Sequence, residues 1–221
     1  MPPGAPAVLT GLRHPPIDHA VPNSTTLCPP HGLLVTGSNM SGKTTFLRTV
    51  GVTTVLAQTI ATCLADAYSA PRFVVRSVIG RADDLLSGKS YYAVEVEAVL
   101  ALVRAGRTDV PHLLLFDEMF RGTNAVERIA AGEAVLASLV AAPATPPRPH
   151  VAIAATHDRE LVDLLQARYT SCHFTDSVGP DGLVFDFKIH PGPATSRNAI
   201  ALLRLAGAPE ERIRNPWYST T

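Results

Sequence analysis

One stretch of eight residues limits what this chain can fold into more than any other part of the sequence. It reads Gly37-Ser38-Asn39-Met40-Ser41-Gly42-Lys43-Thr44 and fits the pattern Gly, four residues, Gly-Lys-Thr. Residues 32–36 before it are an apolar run typical of a buried strand, and residues 45–68 after it predict a long apolar helix. At such a junction, backbone N–H groups and the positive end of the helix dipole point at one place. We therefore expect a polyphosphate to bind there.

The side chains of this loop predict how phosphates and a metal ion are held. Gly37 and Gly42 permit backbone conformations and a close approach that a side chain would block. Lys43 is expected to reach the β- and γ-phosphates, and the Thr44 hydroxyl to ligate Mg²⁺. The predicted nucleotide-contacting residues of the loop are Gly37, Ser38, Asn39, Met40, Ser41, Gly42, Lys43, Thr44 and Thr45.

Polar residues follow two further apolar runs. Residues 112–116 predict a strand covered on both faces, and this strand ends in Asp117 and Glu118. Residues 151–156 predict a second buried strand, which is followed directly by His157. Ligands bind at the carboxyl ends of parallel strands. We expect Asp117 to hold Mg²⁺, Glu118 to polarise the attacking water, and His157 to contact the γ-phosphate or that water.

Length and charge restrict the class of protein. A chain of 221 residues is long enough for one substantial α/β domain. Nineteen basic and nineteen acidic residues cancel, so tight DNA binding by this chain alone is not expected. The three widely spaced cysteines fit reduced residues in a cytoplasmic protein. Residues 46–68 include Arg48, Asp66 and five threonines, which favours a helix buried in the domain over a membrane span.

The order of predicted elements gives an α/β fold with a mostly parallel central sheet and helices on both faces. Residues 1–31 are read as an N-terminal strap, which either covers an adenine base or simply packs against the domain. Residues 32–191 form the predicted core, including a strand at 73–79, helices at 91–104 and 124–140, and an antiparallel hairpin of 169–175 with 183–189. Residues 192–221 hold a predicted helix at 195–205 and a tail, with a possible dimer contact.

A second anion-binding helix start is predicted outside the loop. The sequence Ser87-Gly88-Lys89-Ser90 directly precedes the helix at 91–104. The glycine loop is already expected to surround the phosphates of the nucleotide that this chain binds. The second helix start therefore either contacts a nucleotide bound to a partner chain, or its serine simply caps the helix.

Taken together, these motifs resemble the ATPase domain of the MutS family of DNA mismatch-repair proteins. The Asn39-Met40 pair makes the loop far more specific than the general pattern, and the resemblance runs from about Leu12 to Ile213. The matching segments are residues 36–48, 83–90, 117–118 with 121–123, 155–157, 192–196 and 205–209.

The resemblance implies a fold like that of P-loop ATPases of the ABC type and a magnesium-dependent ATPase. It implies a homodimer that acts as a nucleotide-dependent switch in mismatch repair, with each ATP site completed by Ser90 of the partner chain. It also implies that Asn39 lies near the γ-phosphate and that residues 121–124 communicate across the dimer. DNA contacts are expected through other domains or partner chains.

The sequence departs from the family pattern after the acidic pair. Phe120 stands where repair enzymes usually have glycine, and Tyr91-Tyr92-Ala93 stands where Thr-Phe-Met is usual. These differences resemble divergent, short MutS-like relatives. Two other functions remain open: a nucleotide-binding subunit of another ABC-like machine, and an ATP-gated dimerisation module that does not hydrolyse ATP.

Overall fold

The computed structural model describes residues 1–2, 4–80, 91–105, 110–140, 150–179 and 182–194. Its strands are β1 (Ala7–Leu12), β2 (Asn23–Leu27), β3 (Gly32–Thr36), β4 (Ala67–Ser69), β5 (Val74–Val78), β6 (His112–Asp117), β7 (Val151–Ala155), β8 (Tyr169–Gly179) and β9 (Gly182–Pro191). Its helices are α1 (Lys43–Thr59), α2 (Tyr91–Ala105), α3 (Ala125–Leu139) and α4 (Arg159–Leu165).

The centre of the domain is a six-stranded sheet in the order β5-β6-β7-β3-β8-β9. Neighbouring strands from β5 to β8 pair in parallel, and β9 pairs antiparallel with β8. The predicted mixed α/β fold with a mostly parallel sheet and an antiparallel hairpin is confirmed. All residues of β3 and β7 are buried, as a strand covered on both faces requires.

Helices cover both faces of this sheet. Leu113 and Leu115 of β6 point into one core with residues of α1, whereas Leu114 and Phe116 point into a second core with residues of α2, α3 and α4. This alternation follows from the two-residue period of a strand. The strands thereby become rigid supports for the loops at their carboxyl ends.

Parallel register places three of these ends side by side. Asp117, the last residue of β6, pairs with Ala155, the last residue of β7, while Val35 of β3 pairs with the same Ala155. The glycine loop after β3, the acidic pair after β6 and His157 after β7 therefore leave the sheet at one edge. The sequence predicted that Asp117 and Glu118 lie at the carboxyl end of their strand and that His157 lies at the end of the neighbouring one.

Helix α1 is shorter than the predicted helix at 45–68. It ends at Thr59, and Ala61 adopts a left-handed backbone with φ of 55°. The side chain of Gln58 brackets the backbone of Phe73, donating to its carbonyl oxygen at 3.1 Å and accepting from its N–H at 2.6 Å. Strand β4 then occupies the end of the predicted helix. Tertiary pairing thus outweighs the local apolar pattern.

The N-terminal residues contain more regular structure than the sequence predicted. Strands β1 and β2 pair antiparallel, and β1 also pairs with β4, which gives a small three-stranded sheet in the order β2-β1-β4. Residues between β1 and β2 run past the glycine loop. The predicted helix at 195–205 and the segment at 83–90 lie outside the described residues. Within the described ranges, no helix is long and apolar enough to cross a membrane.

Candidate functional site

The glycine loop leaves β3 and enters α1 through two glycines in the left-handed region. Gly37 has φ of 137°, and Gly42, which caps α1, has φ of 114°. A Cβ atom at Gly37 would lie 2.7 Å from the carbonyl oxygen of Phe174, so only glycine fits there without a shift. Within the loop, the Ser41 hydroxyl donates to the Ser38 carbonyl oxygen at 2.8 Å. This hydrogen bond links the two ends of the turn before α1.

Lys43 is the buried cation of this loop. Only 4% of the residue is exposed, and its Nζ donates to the carbonyl oxygens of Gly37 at 2.9 Å and Ser38 at 2.7 Å. Its Nζ also lies 3.6 Å from Glu118 Oε1. Burial lowers the pKa of Lys43, while the charges of Glu118 and Asp117 act in the opposite direction. The ammonium group is therefore oriented by the loop carbonyl oxygens and by Glu118.

Thr44 and Asp117 form a pair of oxygen ligands suited to a hard cation. The Thr44 hydroxyl donates to Asp117 Oδ2 at 2.8 Å. The other carboxylate oxygen, Oδ1, is buried and has no hydrogen-bond partner among the described residues. Mg²⁺ is usually held by one or two side-chain oxygens together with substrate phosphates and water. This pair fits such a site, although the described residues contain no cluster of three acidic, His or Cys ligands.

Glu118 lies at the centre of a group of cations. Its Oε2 contacts the guanidinium of Arg121 and lies 3.4 Å from His157 Nδ1, while Oε1 faces Lys43. Hydrogen bonding from His157 and the charges of Arg121 and Lys43 lower the pKa of Glu118 to about 2, against the opposing effect of burial. The residue is 8% exposed, and its N–H donates to the Ala155 carbonyl oxygen at 2.9 Å. Glu118 is therefore ionised and fixed at the end of β6.

His157 is partly exposed, with 45% of its side chain accessible, compared with 51% for Arg121. The hydrogen bond to Glu118 and the charge of that carboxylate raise the pKa of His157, although burial opposes the shift. Its neighbours Thr156 and Asp158 form a short turn in which the Asp158 N–H donates to the Thr156 hydroxyl at 3.0 Å. The imidazole is thus aimed at Glu118 from the adjoining strand.

A pH-dependent contribution to stability follows from the contact between His157 and Glu118. The stabilisation that comes from the lowered pKa of Glu118 is present above its ordinary pKa of 4.5 and is lost as the pH falls towards 2. The stabilisation that comes from the raised pKa of His157 is present below its ordinary pKa of 6.5 and is lost as the pH rises through the raised folded value. We expect His157→Ala to lower the free energy of unfolding by about 0.5 kcal/mol at pH 5.5, because solvent screens the half-exposed ring.

Urea unfolding of both proteins at pH 5.5 and pH 9 measures this difference. The cost of His157→Ala should be smaller at pH 9, because the ring loses its charge as the pH rises through its raised pKa. His31→Ala, which replaces an exposed histidine before β3, is the matched control. An equal cost of His157→Ala at both pH values would contradict the ion pair.

An ion pair behind His157 was not predicted from the sequence. Arg128 of α3 donates to both carboxylate oxygens of Asp158, from Nε at 2.8 Å and from the terminal nitrogen at 2.6 Å. Asp158 is buried, and the guanidinium of Arg128 lowers the pKa of that carboxyl. The two residues are thirty positions apart, so no local spacing could indicate the contact. The pair ties α3 to the turn that carries His157.

A cavity of about 540 Å³ adjoins the glycine loop. Its walls come from the segment between β1 and β2, from the start of α1 and from the β8–β9 hairpin. Apolar side chains on these walls include Leu12, Ile17, Val21, Phe174 and Phe187. The cavity is within the size range of small-molecule sites. None of these five side chains was predicted individually. Leu12, Ile17 and Val21 lie in residues 1–31, for which covering an adenine base was one of two expectations, and Phe174 and Phe187 lie in the predicted hairpin.

Asn23 joins two walls of this cavity. Its amide donates to the Phe187 carbonyl oxygen at 2.9 Å and accepts from the Ile189 N–H at 2.7 Å. Phe187 has a left-handed backbone with φ of 54°. The segment between β1 and β2 is therefore fixed, at its junction with β2, to the β8–β9 hairpin.

The structure brings together most of the residues that the sequence predicted for the site. Lys43, Thr44, Asp117, Glu118 and His157 meet at one edge of the sheet. Asn39, Met40 and Thr45 line the adjoining cavity, and Ser38 and Ser41 hold the loop from within. Ser90 lies outside the described residues.

The fold and the site define an α/β domain in which a glycine loop faces two carboxylates at the carboxyl edge of a parallel sheet. The family model of MutS domain V matches residues 33–217, so the chain belongs to the MutS family. This confirms the family resemblance drawn from the motifs.

Similar proteins are mismatch-repair proteins several times longer. The chain is 35% identical over 213 residues to DNA mismatch repair protein MutS 2 of Halobacterium salinarum, which covers 91% of this chain and 24% of that protein. It is 36% identical over 206 residues to DNA mismatch repair protein MutS of Thermus thermophilus, with the same coverage of 91% and 24%. The MutS protein of Streptococcus equi subsp. equi is 33% identical over 208 residues, covering 89% and 23%. The chain spans about a quarter of these relatives.

Proposed function

We propose that this domain binds ATP with Mg²⁺ and hydrolyses it, as the nucleotide-dependent switch of a MutS-type DNA mismatch-repair assembly. The observation that carries the proposal is that Lys43, Thr44 and Glu118 line one cavity, with Asp117 hydrogen-bonded to Thr44. The fold proposed with it is a P-loop ATPase of the ABC type. Membership of the MutS family supports the role in mismatch repair, because the relatives are named as mismatch-repair proteins.

The glycine loop and Lys43 would bind the triphosphate. Helix α1 begins at Lys43, so the N–H groups of its first turn have no intrahelical partners and would receive a bound phosphate. The Lys43 ammonium is held at the loop by two carbonyl oxygens. Thr44 and Asp117 would hold Mg²⁺, which supplies charge neutralisation at the β- and γ-phosphates when bound. Asp117 Oδ1, buried and without a described partner, is the atom with free ligand capacity.

Glu118 would orient and polarise the water that attacks the γ-phosphate. The oxygen of that water bonds to phosphorus as the bond to the β–γ bridging oxygen breaks, and its proton passes to Glu118 and then to the departing phosphate. In the present contacts, Glu118 is a weak base, because three cations stabilise its charge. When Lys43 and Arg121 turn towards phosphate oxygens, that stabilisation falls and the carboxylate becomes more basic. His157 would then orient Glu118 or the γ-phosphate.

The cavity beside the loop would hold the nucleoside. Ile17, Val21 and Phe187 provide an apolar surface for a flat base, and the strap between β1 and β2 forms one wall. The N-terminal segment was expected either to cover an adenine base or simply to pack against the domain, and this geometry favours the first role.

Magnesium-dependent phosphate release from ATP tests the proposed activity. Wild-type protein should release phosphate with Mg²⁺ and stop when EDTA removes the metal. Protein that binds ATP but releases no phosphate would instead be an ATP-gated dimerisation module, an alternative favoured by the three cations that hold Glu118.

A homodimer with shared sites is proposed as the switching form, with Ser90 of each chain completing the partner's ATP site. Complementation tests it. A Lys43→Ala chain has a defective loop and an intact Ser90, whereas a Ser90→Ala chain has the reverse. Mixing the two inactive variants should restore up to one working site in each mixed dimer. If mixed dimers form and no activity returns, Ser90 does not act across the interface.

DNA is proposed as a partner of the larger assembly rather than of this domain alone. The formal net charge of the chain is zero, and non-specific binding to DNA depends on Lys and Arg neutralising phosphates. The relatives contain about three quarters of their length beyond the matched region. Contacts with mismatched DNA would come from such regions or from partner chains.

A further inference from the structure

Glu95 is a buried acidic residue that the proposed mechanism does not use. It lies on α2 and is 6% exposed. Its Oε1 accepts a hydrogen bond of 2.5 Å from the backbone N–H of Phe120. Its Oε2 is buried without a hydrogen-bond partner among the described residues. Burial of a carboxyl group lowers the stability of the fold unless its oxygens are hydrogen-bonded, and the Phe120 N–H supplies the bond for one of them.

The turn that donates this hydrogen bond has an unusual backbone. Glu118 and Phe120 have φ of 49° and 62°, two non-glycine residues in the left-handed region within three positions. Such residues persist where the surrounding structure holds them, and they concentrate at functional sites. The Glu118 N–H is held by Ala155, and the Phe120 N–H is held by Glu95.

The side chains of the turn also pack against α2. Met119 and Phe120 are buried in the core that contains Ala98, Val99 and Leu102 of this helix. The packing sets the distance between the turn and α2, and the hydrogen bond from Phe120 sets the direction of its peptide plane. Glu118, two residues earlier, cannot keep its contacts with Lys43 and His157 if that plane rotates.

We propose that Glu95 is a positioning residue for ATP hydrolysis, which fixes the turn at 118–121 through the Phe120 N–H and thereby places the Glu118 carboxylate. The inference rests on the proposed function. Glu95 also connects the proposed site residues Ser90 and Glu118, because Tyr91, the first residue of α2, follows Ser90 in the sequence. A displacement at the start of α2 would reach the turn at 118–121 through this hydrogen bond and through the packing of Met119 and Phe120 against the helix.

Two substitutions separate the hydrogen bond from the shape of the side chain. Glu95→Met keeps a side chain of similar length and removes the acceptor of the Phe120 N–H. Glu95→Gln keeps an acceptor oxygen. Glu97→Ala, which removes an exposed carboxylate two residues along α2, is the control.

Single-turnover hydrolysis of bound ATP gives the first result. Glu95→Met should slow the step by about 10- to 100-fold, since misplacing a reacting group by about 1 Å has effects of this size. Glu95→Gln should stay within about threefold of wild type by the same argument, and ATP affinity should be unchanged in both. Wild-type rates in Glu95→Met, or equal losses in both variants, would overturn the proposal.

A double substitution shows whether Glu95 acts through Glu118. If it does, Glu95→Met combined with Glu118→Gln should be as slow as Glu118→Gln alone. Additive losses would mean that Glu95 acts elsewhere and would overturn the proposal.

Hydrogen exchange of the Phe120 amide tests the contact independently of hydrolysis. Exchange should be at least about tenfold faster in Glu95→Met than in wild type and near wild type in Glu95→Gln, because only the first loses the acceptor. Unchanged exchange in Glu95→Met would overturn the positioning role. If wild-type protein hydrolyses no ATP, the proposed function fails, and the exchange rates still decide whether Glu95 holds the turn.

Discussion

Glu118→Gln is expected to slow single-turnover ATP hydrolysis by about 10²- to 10⁴-fold while leaving ATP and Mg²⁺ binding nearly normal. The amide preserves the shape of the side chain and loses the charge that polarises water. The residue is fixed from several directions, by the Ala155 carbonyl oxygen and by Lys43, Arg121 and His157. The substitution keeps the backbone contact with Ala155 that holds the end of β6, while it removes the negative charge of the side chain.

Quenched-flow measurement of phosphate formation, with enzyme in excess over ATP, gives this rate. Glu160→Gln, which alters an exposed glutamate of α4, should hydrolyse at the wild-type rate and serves as the control. A rate for Glu118→Gln close to wild type would transfer the water-orienting role to another group, with His157 the nearest candidate.

The central sheet could be predicted because its strands are continuous apolar runs. Strands β6 and β7 are buried on both faces, and burial of this kind is visible in the sequence without knowledge of neighbours. The positions of Asp117 and His157 then followed from the rule that parallel strands end at the same edge. Helix α3 was equally predictable, since Asn124 accepts the Glu127 N–H at 3.0 Å and so caps its start.

Other parts of the structure depend on contacts between distant segments. The apolar character of α1 continues beyond Thr59, and only the anchoring of Phe73 by Gln58 and the pairing of β4 with β1 end the helix there. Short polar strands such as β2 carry little signal because they are half exposed.

The walls of the cavity and the positioning contacts are the least predictable part of the site. Asn23 meets Phe187 across more than 160 residues, and Arg128 meets Asp158 across thirty. The position of Glu95 in the sequence of α2 does not distinguish it from an exposed helix residue. It is buried because the turn after Glu118 packs against α2. Motifs indicate the groups that react, whereas the groups that orient them are selected by tertiary packing.

Lys43→Ala is expected to abolish detectable ATP binding. The ammonium is 4% exposed and aligned by two carbonyl oxygens, so it meets a phosphate without a large cost of ordering. A charge-assisted hydrogen bond is worth about 1.5–3 kcal/mol, and loss of several such contacts in one step lowers affinity by at least about 100-fold. The sheet and α1 should remain folded, because their packing comes from apolar residues.

Calorimetric titration of ATP with Mg²⁺ into the wild-type chain and into Lys43→Ala tests the glycine loop as an ATP site most directly. Arg76→Ala, which removes an exposed cation from β5, controls for a general loss of positive charge. Circular dichroism confirms that each protein is folded. The proposed site predicts one ATP per chain for wild type and Arg76→Ala, and no measurable heat of binding for Lys43→Ala. Equal ATP affinity in wild type and Lys43→Ala would contradict it, as would the absence of binding to folded wild-type protein.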